Sequence, residues 1–139
     1  MSVPAGMRGE PKLAVFTKAN ALAKYTMKIT SNPNNFDPTY SMLIRRINDA
    51  AIGIAQDAWS ANNIVVKKSG VIDPVNARKR FALQERAARH CNDLLFLINL
   101  SQSVFHLRSK RVKYWTEQAV DVRNLIRRWR DSDRRRYGL

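Results

Sequence analysis

The sequence has few of the residues that disulfide-rich, all-β or membrane proteins require. Its single cysteine, Cys91, cannot form an internal disulfide, which favours a reducing compartment. Five glycines and five prolines among 139 residues are too few for a β-sandwich or a disordered chain. The longest apolar run, residues 94–100, contains Asn99 and is too short to span a bilayer, and residues 1–10 hold no apolar signal-peptide core. We expect a cytoplasmic protein with one folded domain.

Acidic residues are also scarce, and the charge that results is unevenly spread. The chain has 25 Lys and Arg against 11 Asp and Glu, a net charge of +14. Residues 67–90 carry seven basic and two acidic side chains, residues 91–105 carry only Asp93, and residues 106–139 carry eleven and four. Positive charges in this excess repel one another and destabilise the folded state unless an anionic partner screens them. The composition therefore predicts binding to a polyanion, with nucleic acid as the first candidate.

Apolar residues recur at helical spacing in four stretches of the chain. Residues 1–10 are expected to form a flexible arm, and the first helix is predicted from Pro11 to about Thr30. Turn formers at 31–38 end it, and the pairs Asp37-Pro38 and Asp73-Pro74 are start signals for the second and third helices. Ser109 is the predicted cap of the fourth.

The apolar seams assigned to these helices alternate in steps of three and four residues, except for one longer step in the first. The first helix has the positions Leu13, Phe16, Ala23 and Met27, and the second has Tyr40, Ile44, Ile47, Ala51, Ile54, Ala58 and Ala61. The third has Ala77, Phe81, Gln84, Ala88, Cys91, Leu95, Ile98, Gln102 and Phe105, and the fourth has Val112, Trp115, Ala119, Val122, Ile126 and Trp129. No stretch shows the period-two alternation of a half-buried strand. The pattern predicts an all-α, antiparallel up-down-up-down four-helix bundle over residues 11–139, with a basic C-terminal end.

Most of the basic residues lie outside these seams. With the fourth seam as the core positions, Arg123, Arg127, Arg130 and Arg134 form a stripe beside the core that is predicted to face outward. No helix-turn-helix, zinc finger or aromatic RNA-binding strand is evident, so the contacts are expected to reach phosphates rather than base edges. The candidate nucleic-acid-binding residues are Arg45, Arg46, Arg78, Lys79, Lys110, Arg111, Arg123, Arg127, Arg130, Arg134, Arg135 and Arg136.

The residues that could support catalysis do not form a recognisable constellation. One cysteine and two separated histidines cannot fill a tetrahedral zinc site, and no Gly-rich phosphate loop occurs, so we expect no metal, no cofactor and no enzyme activity. The stretch "RAARH" at 86–90 resembles the Arg-x4–6-His motif of some small helical ribonucleases, but it is one residue short. A partly exposed, non-catalytic His90 is therefore the preferred interpretation. Cys91 occupies a seam position, which favours a buried, inert thiol.

Tryptophans and isolated aspartates also have structural interpretations. Trp115 is in a seam and is expected in the core. Trp59 lies one position off its seam, which favours a helix–helix or subunit contact over a stacking platform for bases. Four aspartates stand singly on helices and are interpreted as salt-bridge or capping partners: Asp49, Asp57, Asp93 and Asp121.

Three segments resemble a known family of small basic proteins. They are "RRINDAAIGIAQDAWSANNI" (45–64), "QERAARHCNDLLFLINLS" (84–101) and "KYWTEQAVDVRNLIRRWRDSDRRR" (113–136). The resemblance is to the four-helix proteins related to the 23S rRNA intervening-sequence protein, and within them to the accessory variability determinants of diversity-generating retroelements. It covers about residues 12–137, and its most specific pieces are Ala61-Asn62-Asn63, Tyr114-Trp115-Thr116 and Trp129-x-x-Ser132-Asp133.

The resemblance implies a function and an assembly that composition and spacing alone do not. It implies a non-catalytic protein that forms a basic, ring-shaped homopentamer and binds template RNA or cDNA. It also implies association with a reverse transcriptase, supporting the mutagenic cDNA synthesis that diversifies a target gene. Three alternatives remain open: an RNA- or ribosome-associated member of the family without a polymerase partner, a small ribonuclease using Arg86 and His90, and a structural oligomer whose charge serves only solubility.

Overall fold

The computed structural model describes the backbone of residues 3–139 and the side chains of residues 13–139. Within this part of the chain, the four α-helices are α1 (Val3–Thr30), α2 (Ser41–Asn62), α3 (Pro74–Phe105) and α4 (Ser109–Tyr137). They confirm an all-α, bundle-like fold. Helix α1 begins at Val3 and not at Pro11, and the rest of the expected arm, Met1 and Ser2 with the side chains of 3–10, lies outside the described residues.

The Asp-Pro start signals act as predicted, with one adjustment. The Asp73 carboxylate accepts hydrogen bonds from the N–H groups of Val75 (3.0 Å) and Asn76 (3.2 Å), and Pro74 is the first residue of α3. Asp37 instead caps a single 3-10 turn, Pro38–Tyr40, which leads into α2 at Ser41. The Thr39 N–H that bonds to this carboxylate lowers the pKa of Asp37.

The predicted cap of the fourth helix is wrong. Ser109 is the first helical residue of α4, and Arg108 occupies the N-cap position without a side-chain cap hydrogen bond. The connection between α3 and α4 is short: the left-handed residue His106 (φ 55°, ψ 46°) ends α3, and only Leu107 and Arg108 separate it from the start of α4 at Ser109. Helix α4 is therefore positioned by its packing and not by a local capping signal.

The seams predicted for α2, α3 and α4 are largely confirmed. Ile54, Ala58, Cys91 and Trp115 are fully buried, and Trp129 is 3% exposed. The seam of α1 is only partly confirmed, because the helix has apolar or alanine residues on several sides and its pattern fits more than one face. Ala23 is buried and Phe16 is partly buried against the core, but Leu13 and Met27 are exposed. The other buried residues of α1 are Val15, Ala19, Leu22, Thr26, Ile29 and Thr30.

Aromatic rings close the core at the end where α3 passes into α4. Trp115 is fully buried, and its Nε1 donates to the Thr26 hydroxyl on α1 at 3.0 Å. Phe36, from the connection between α1 and α2, packs edge-on against Trp115, with centroids 6.1 Å apart, and in a tilted arrangement against Phe105, with centroids 4.8 Å apart. The turn-forming stretch at 31–38 thus supplies a core residue as well as a chain reversal.

A small hairpin that the periodicity did not reveal joins α2 to α3. Strands β1 (Lys67–Lys68) and β2 (Val71–Ile72) pair antiparallel, with Lys67 opposite Ile72. Ser69 and Gly70 form the turn with φ of 53° and 79°, the backbone of a type I′ hairpin, in which glycine is favoured. Strands of two residues are too short to show an alternating pattern, and all four strand residues are exposed.

Candidate nucleic-acid interface

Arg80 and Asp133 form a buried ion pair that joins α3 to α4. The Arg80 Nε donates to the Asp133 carboxylate at 2.7 Å, and the Gln84 Nε2 donates to the same oxygen at 2.7 Å. Arg80 is 6% exposed, Asp133 is 3% exposed, and the guanidinium lies 5.3 Å from the centre of the Trp129 ring. Unlike its neighbours Arg78 and Lys79, Arg80 is therefore not part of the basic surface, because Asp133 from α4 is its buried counter-ion.

This ion pair brings together two basic segments that are far apart in the sequence. Arg78 and Lys79 flank Arg80 at the start of α3, and Arg134, Arg135 and Arg136 follow Asp133 at the end of α4. All five side chains are exposed. Among them only Arg136 has an ion-pair contact within the described residues, at 4.0 Å from Asp133. The result is one basic end of the molecule, here called the α4-end patch (Arg78, Lys79, Arg134, Arg135, Arg136).

The arginine stripe on α4 is not uniformly directed outward. Arg130 donates from Nη1 to Glu85 at 2.6 Å and from Nε to Asp131 at 3.0 Å, and its side chain is 21% exposed. Burial lowers the pKa of Arg130, but the hydrogen bonds to the two carboxylates outweigh this, and the net pKa is raised. Arg123 donates to the Asn92 side chain at 2.9 Å, and its buried Nε has no partner. Helix α3 runs close enough to engage both residues.

The other two stripe members differ from these. Arg134 is exposed and its Nε donates to the backbone oxygen of Leu139 at 3.2 Å, while Arg127 is half-buried. Neither is in an ion pair within residues 13–139. The prediction of an outward stripe is therefore wrong for Arg130, whose charge is neutralised by Glu85 and Asp131. The stripe members without a carboxylate side chain as partner are Arg123, Arg127 and Arg134.

A second group of cations lies at the opposite end of the molecule, where α2 and α4 begin. Tyr40, next to the start of α2, packs edge-on against Phe105 at the end of α3, with centroids 5.7 Å apart. This places the α2 start near the connection to α4. The predicted binding residues in this region are Arg45, Arg46, Lys110 and Arg111, of which all but Arg111 are exposed. The predicted set is thus divided between two ends and the α4 stripe, and does not form one site.

Arg86 and His90, the pair considered for ribonuclease activity, share one buried carboxylate. Asp57 on α2 is 5% exposed and accepts from Arg86 Nε at 2.8 Å and Nη2 at 2.9 Å. The hydrogen bonds to Asp57 raise the pKa of Arg86. His90 Nε2 lies 3.2 Å from the same carboxylate, above Gly53, where an added Cβ would come within 3.1 Å of the imidazole. The i, i+4 spacing predicts that Arg86 and His90 lie on one face of α3. Only the tertiary structure shows that Asp57 is the partner of both.

The isolated aspartates divide into two kinds. Asp57, as described, and Asp121, which lies 2.7 Å from Lys18 on α1, form the salt bridges that were expected. Asp49 and Asp93 form no ion pair within residues 13–139. Both line a groove of about 600 Å³ between α2 and α3. Apolar residues form most of its walls, including Met42 (74% exposed) and Phe96 (64% exposed).

Two further expectations concern Trp59 and Cys91. Trp59 is 62% exposed, so it forms no buried helix–helix contact within one chain. Cys91 is fully buried, and desolvation raises the pKa of its thiol to about 12 even though Arg123 and Arg127 act in the opposite direction. This confirms the buried thiol, since a neutral thiol is a poor nucleophile. No group of three His, Cys, Asp or Glu residues in the described part of the chain is arranged to hold a metal ion.

Comparison with known proteins found no matching family model, no similar curated protein and no similar solved structure. The resemblance to the intervening-sequence and variability-determinant proteins thus rests on the sequence motifs alone. Of these motifs, Trp129-x-x-Ser132-Asp133 coincides with the buried contact between Arg80, Asp133 and Trp129. No helix in the described residues has the length and apolar character needed to cross a membrane.

Proposed function

We propose that this protein is a non-catalytic, nucleic-acid-binding accessory subunit of a retroelement reverse transcriptase. In this role it supports template-RNA-primed, mutagenic cDNA synthesis for targeted gene diversification in the cytoplasm. The observation that supports this proposal best is that the basic residues divide into two sets. In one set, carboxylates of the same chain neutralise Arg80, Arg86 and Arg130. The exposed cations at both ends of the bundle remain available to phosphates. The polymerase partner comes from the sequence resemblance.

A binding role is preferred over RNA cleavage because of the surroundings of Arg86. The Nε and Nη2 atoms of Arg86 both donate to Asp57, and the same carboxylate lies 3.2 Å from the Nε2 of His90. Two of the three guanidinium nitrogens are thus paired with a carboxylate, whose negative charge opposes the phosphate stabilisation that RNA cleavage would need from Arg86. We assign the cluster to the joining of α2 and α3, and expect no RNA hydrolysis by the purified protein.

The proposed assembly is an up-down-up-down bundle that associates into a ring, with five copies as the resemblance implies. Two features support self-association. Met42, Phe96 and Trp59 expose large apolar side chains that one copy does not bury. The α2–α3 groove also carries Asp49 and Asp93 beside Arg46, so it lacks the positive excess that makes other surfaces of a +14 chain repel one another.

Reconstitution with the polymerase tests the proposed role directly. The protein is co-expressed with a retroelement reverse transcriptase and the template RNA of that element, and complex formation and cDNA yield are measured. We expect a stable complex and cDNA synthesis that depends on this protein. Binding to RNA without any polymerase contact or stimulation would contradict that role and would leave the RNA- or ribosome-associated alternative.

A salt titration separates phosphate binding from a charge that serves only solubility. The affinity for RNA and duplex DNA is measured between ~50 mM and ~200 mM salt, and log K should fall with a slope of about −0.9 per neutralised duplex phosphate. A flat response, or no binding at the lowest salt, would exclude the nucleic-acid function altogether.

A further inference from the structure

We infer that a pocket between the α1–α2 connection and the start of α4 binds one unpaired nucleotide of a single-stranded nucleic acid. The pocket has a volume of about 450 Å³, and its lining includes Asn34, Asn35, Phe105, His106, Arg108 and Arg111. This volume is within the range of small-ligand sites, roughly 300–1,000 Å³. The inference rests on the proposed nucleic-acid binding and adds a defined site to it.

Two arginines give the pocket its affinity for phosphate. Arg108 is exposed and Arg111 is half-buried, and neither is in an ion pair within residues 13–139. Guanidinium groups bind phosphate oxygens through paired N–H donors. In the lack of an ion-pair partner, Arg108 and Arg111 differ from three other arginines that have carboxylate partners within the protein: Arg80, Arg86 and Arg130. The nucleotide phosphate supplies the counter-ion that Arg108 and Arg111 lack.

The lining of the pocket also includes two residues with planar side chains, Phe105 and His106. Phe105 is half-buried, and its ring is fixed by Phe36 (centroids 4.8 Å apart) and by Tyr40 (5.7 Å). His106 follows it in a left-handed conformation (φ 55°), held by its N–H bond to the Gln102 carbonyl, and its side chain is exposed. Unpaired bases stack on aromatic, imidazole and guanidinium planes. A stack of this kind needs a base that is not already stacked and paired in a duplex.

Two amides complete the pocket on the side of the α1–α2 connection. The Asn32 side chain and carbonyl accept from the backbone N–H groups of Asn34 (3.0 Å) and Asn35 (3.2 Å), which orders this turn. The side chains of Asn34 and Asn35 are exposed, and neither forms a hydrogen bond within the described residues. An amide both donates and accepts, so it matches the mixed donors and acceptors on the edge of a base. The Watson–Crick edge of a base, which carries such groups, is accessible only in unpaired nucleic acid.

The test compares single strands with duplexes for two pairs of substitutions. The ligands are short RNA and DNA oligonucleotides of one sequence, each single-stranded and as a duplex, with affinities measured by fluorescence anisotropy at fixed salt. For Asn34→Ala/Asn35→Ala we expect the affinity for single strands to fall by about tenfold or more and that for duplexes to be unchanged. The matched control, Arg135→Gln/Arg136→Gln at the opposite end, should weaken both single-strand and duplex binding, with no preferential loss for single strands.

Each outcome either supports or overturns the pocket. Equal losses for both ligand types in the asparagine variant, or no loss at all, would overturn it, provided that circular dichroism shows unchanged helix content. As a second readout, uridine or adenosine monophosphate should shift the NMR signals of His106 and of the Asn34 and Asn35 amides. Inorganic phosphate should leave the amides unmoved, and a response identical to that of the nucleotides would overturn base recognition. If neither single strands nor duplexes bind, the proposed function fails as well.

Discussion

Asp133 shows how one carboxylate organises the basic end of this molecule. It accepts from Arg80 and Gln84 in a buried setting and also lies 4.0 Å from Arg136. A buried charge without its partner is costly, whereas apolar residues of similar volume in place of both partners are often tolerated. The ion pair thereby fixes the register of α3 against α4 at the point where the exposed arginines begin.

Removing one partner of this pair should therefore destabilise the protein strongly. For Asp133→Ala we expect a loss of about 3–5 kcal/mol in the free energy of unfolding, measured by urea denaturation, because the Arg80 guanidinium is left buried and unpaired. The double variant Arg80→Met/Asp133→Leu should recover most of that loss. Asp131→Ala is the control, since its pair with Arg130 is partly exposed and should cost about 0–1 kcal/mol. A loss for Asp133→Ala no larger than the control's would show that the pair is not structurally important.

Helix α4 combines two roles along the same length of chain. One face buries Trp115, Ala119, Val122, Ile126 and Trp129 in the core. On its flanks the arginines are either paired with α3, as for Arg130, or free, as for Arg127 and Arg134. The helix is thus a core element that also carries the cations to which we assign phosphate binding in the proposed function, and the two sets of arginines should respond differently to substitution.

Substitutions on α4 separate these two sets. For Arg127→Gln/Arg134→Gln/Arg135→Gln we expect weaker binding to RNA and duplex DNA, a smaller salt slope by about 0.9 for each lost duplex contact, and an unchanged melting temperature. Arg130→Gln should lower the melting temperature, because Glu85 and Asp131 lose their shared donor. The measurements are filter binding across salt concentrations and thermal unfolding by circular dichroism. A triple variant that unfolds early while Arg130→Gln does not would reverse this assignment.

At the scale of the whole molecule, the described residues form a basic body with an apolar groove between α2 and α3. Its charged ends repel other copies, while the groove between α2 and α3 offers Met42, Phe96 and a mixture of acidic and basic groups. Contacts between copies should form where apolar area can be buried without bringing like charges together. The groove is the surface of this molecule that best meets both conditions.

Charges placed in the groove should therefore dissociate the assembly. For Met42→Glu/Phe96→Glu we expect monomers by light scattering where the unmodified protein forms a larger species, with helix content retained. Val71→Glu in the hairpin is the matched control, because Val71 is similarly exposed (68%) but lies outside the groove, and it should leave the mass unchanged. A monomeric unmodified protein, or dissociation by the control alone, would contradict the proposed interface.

Local signals account for much of the architecture that could be predicted. The Asp73-Pro74 start, the break at 31–38 and the seams of α2, α3 and α4 each depend on residues close together in the chain. Two of the four positions predicted for α1, Leu13 and Met27, are exposed, because its alanines and scattered apolar residues allow several faces. Only packing against α2 and α4 selects the face with Val15 and Leu22. The hairpin at 67–72 was missed because two-residue strands have no period to detect.

By itself, the sequence determined that this protein is helical, strongly basic and broken into segments at its Asp-Pro and Asn-rich turns, because those properties follow from composition and near-neighbour spacing. Only the tertiary structure decided which of its arginines are free. Arg80 and Arg130 carry the same charge as Arg134, but Asp133 and Glu85 neutralise them across the α3–α4 contact. The pocket at the start of α4 likewise needs Asn34 and Arg108, which are far apart in the chain. Electrostatic neutralisation and pocket formation depend on distances in space, and folding alone sets those distances.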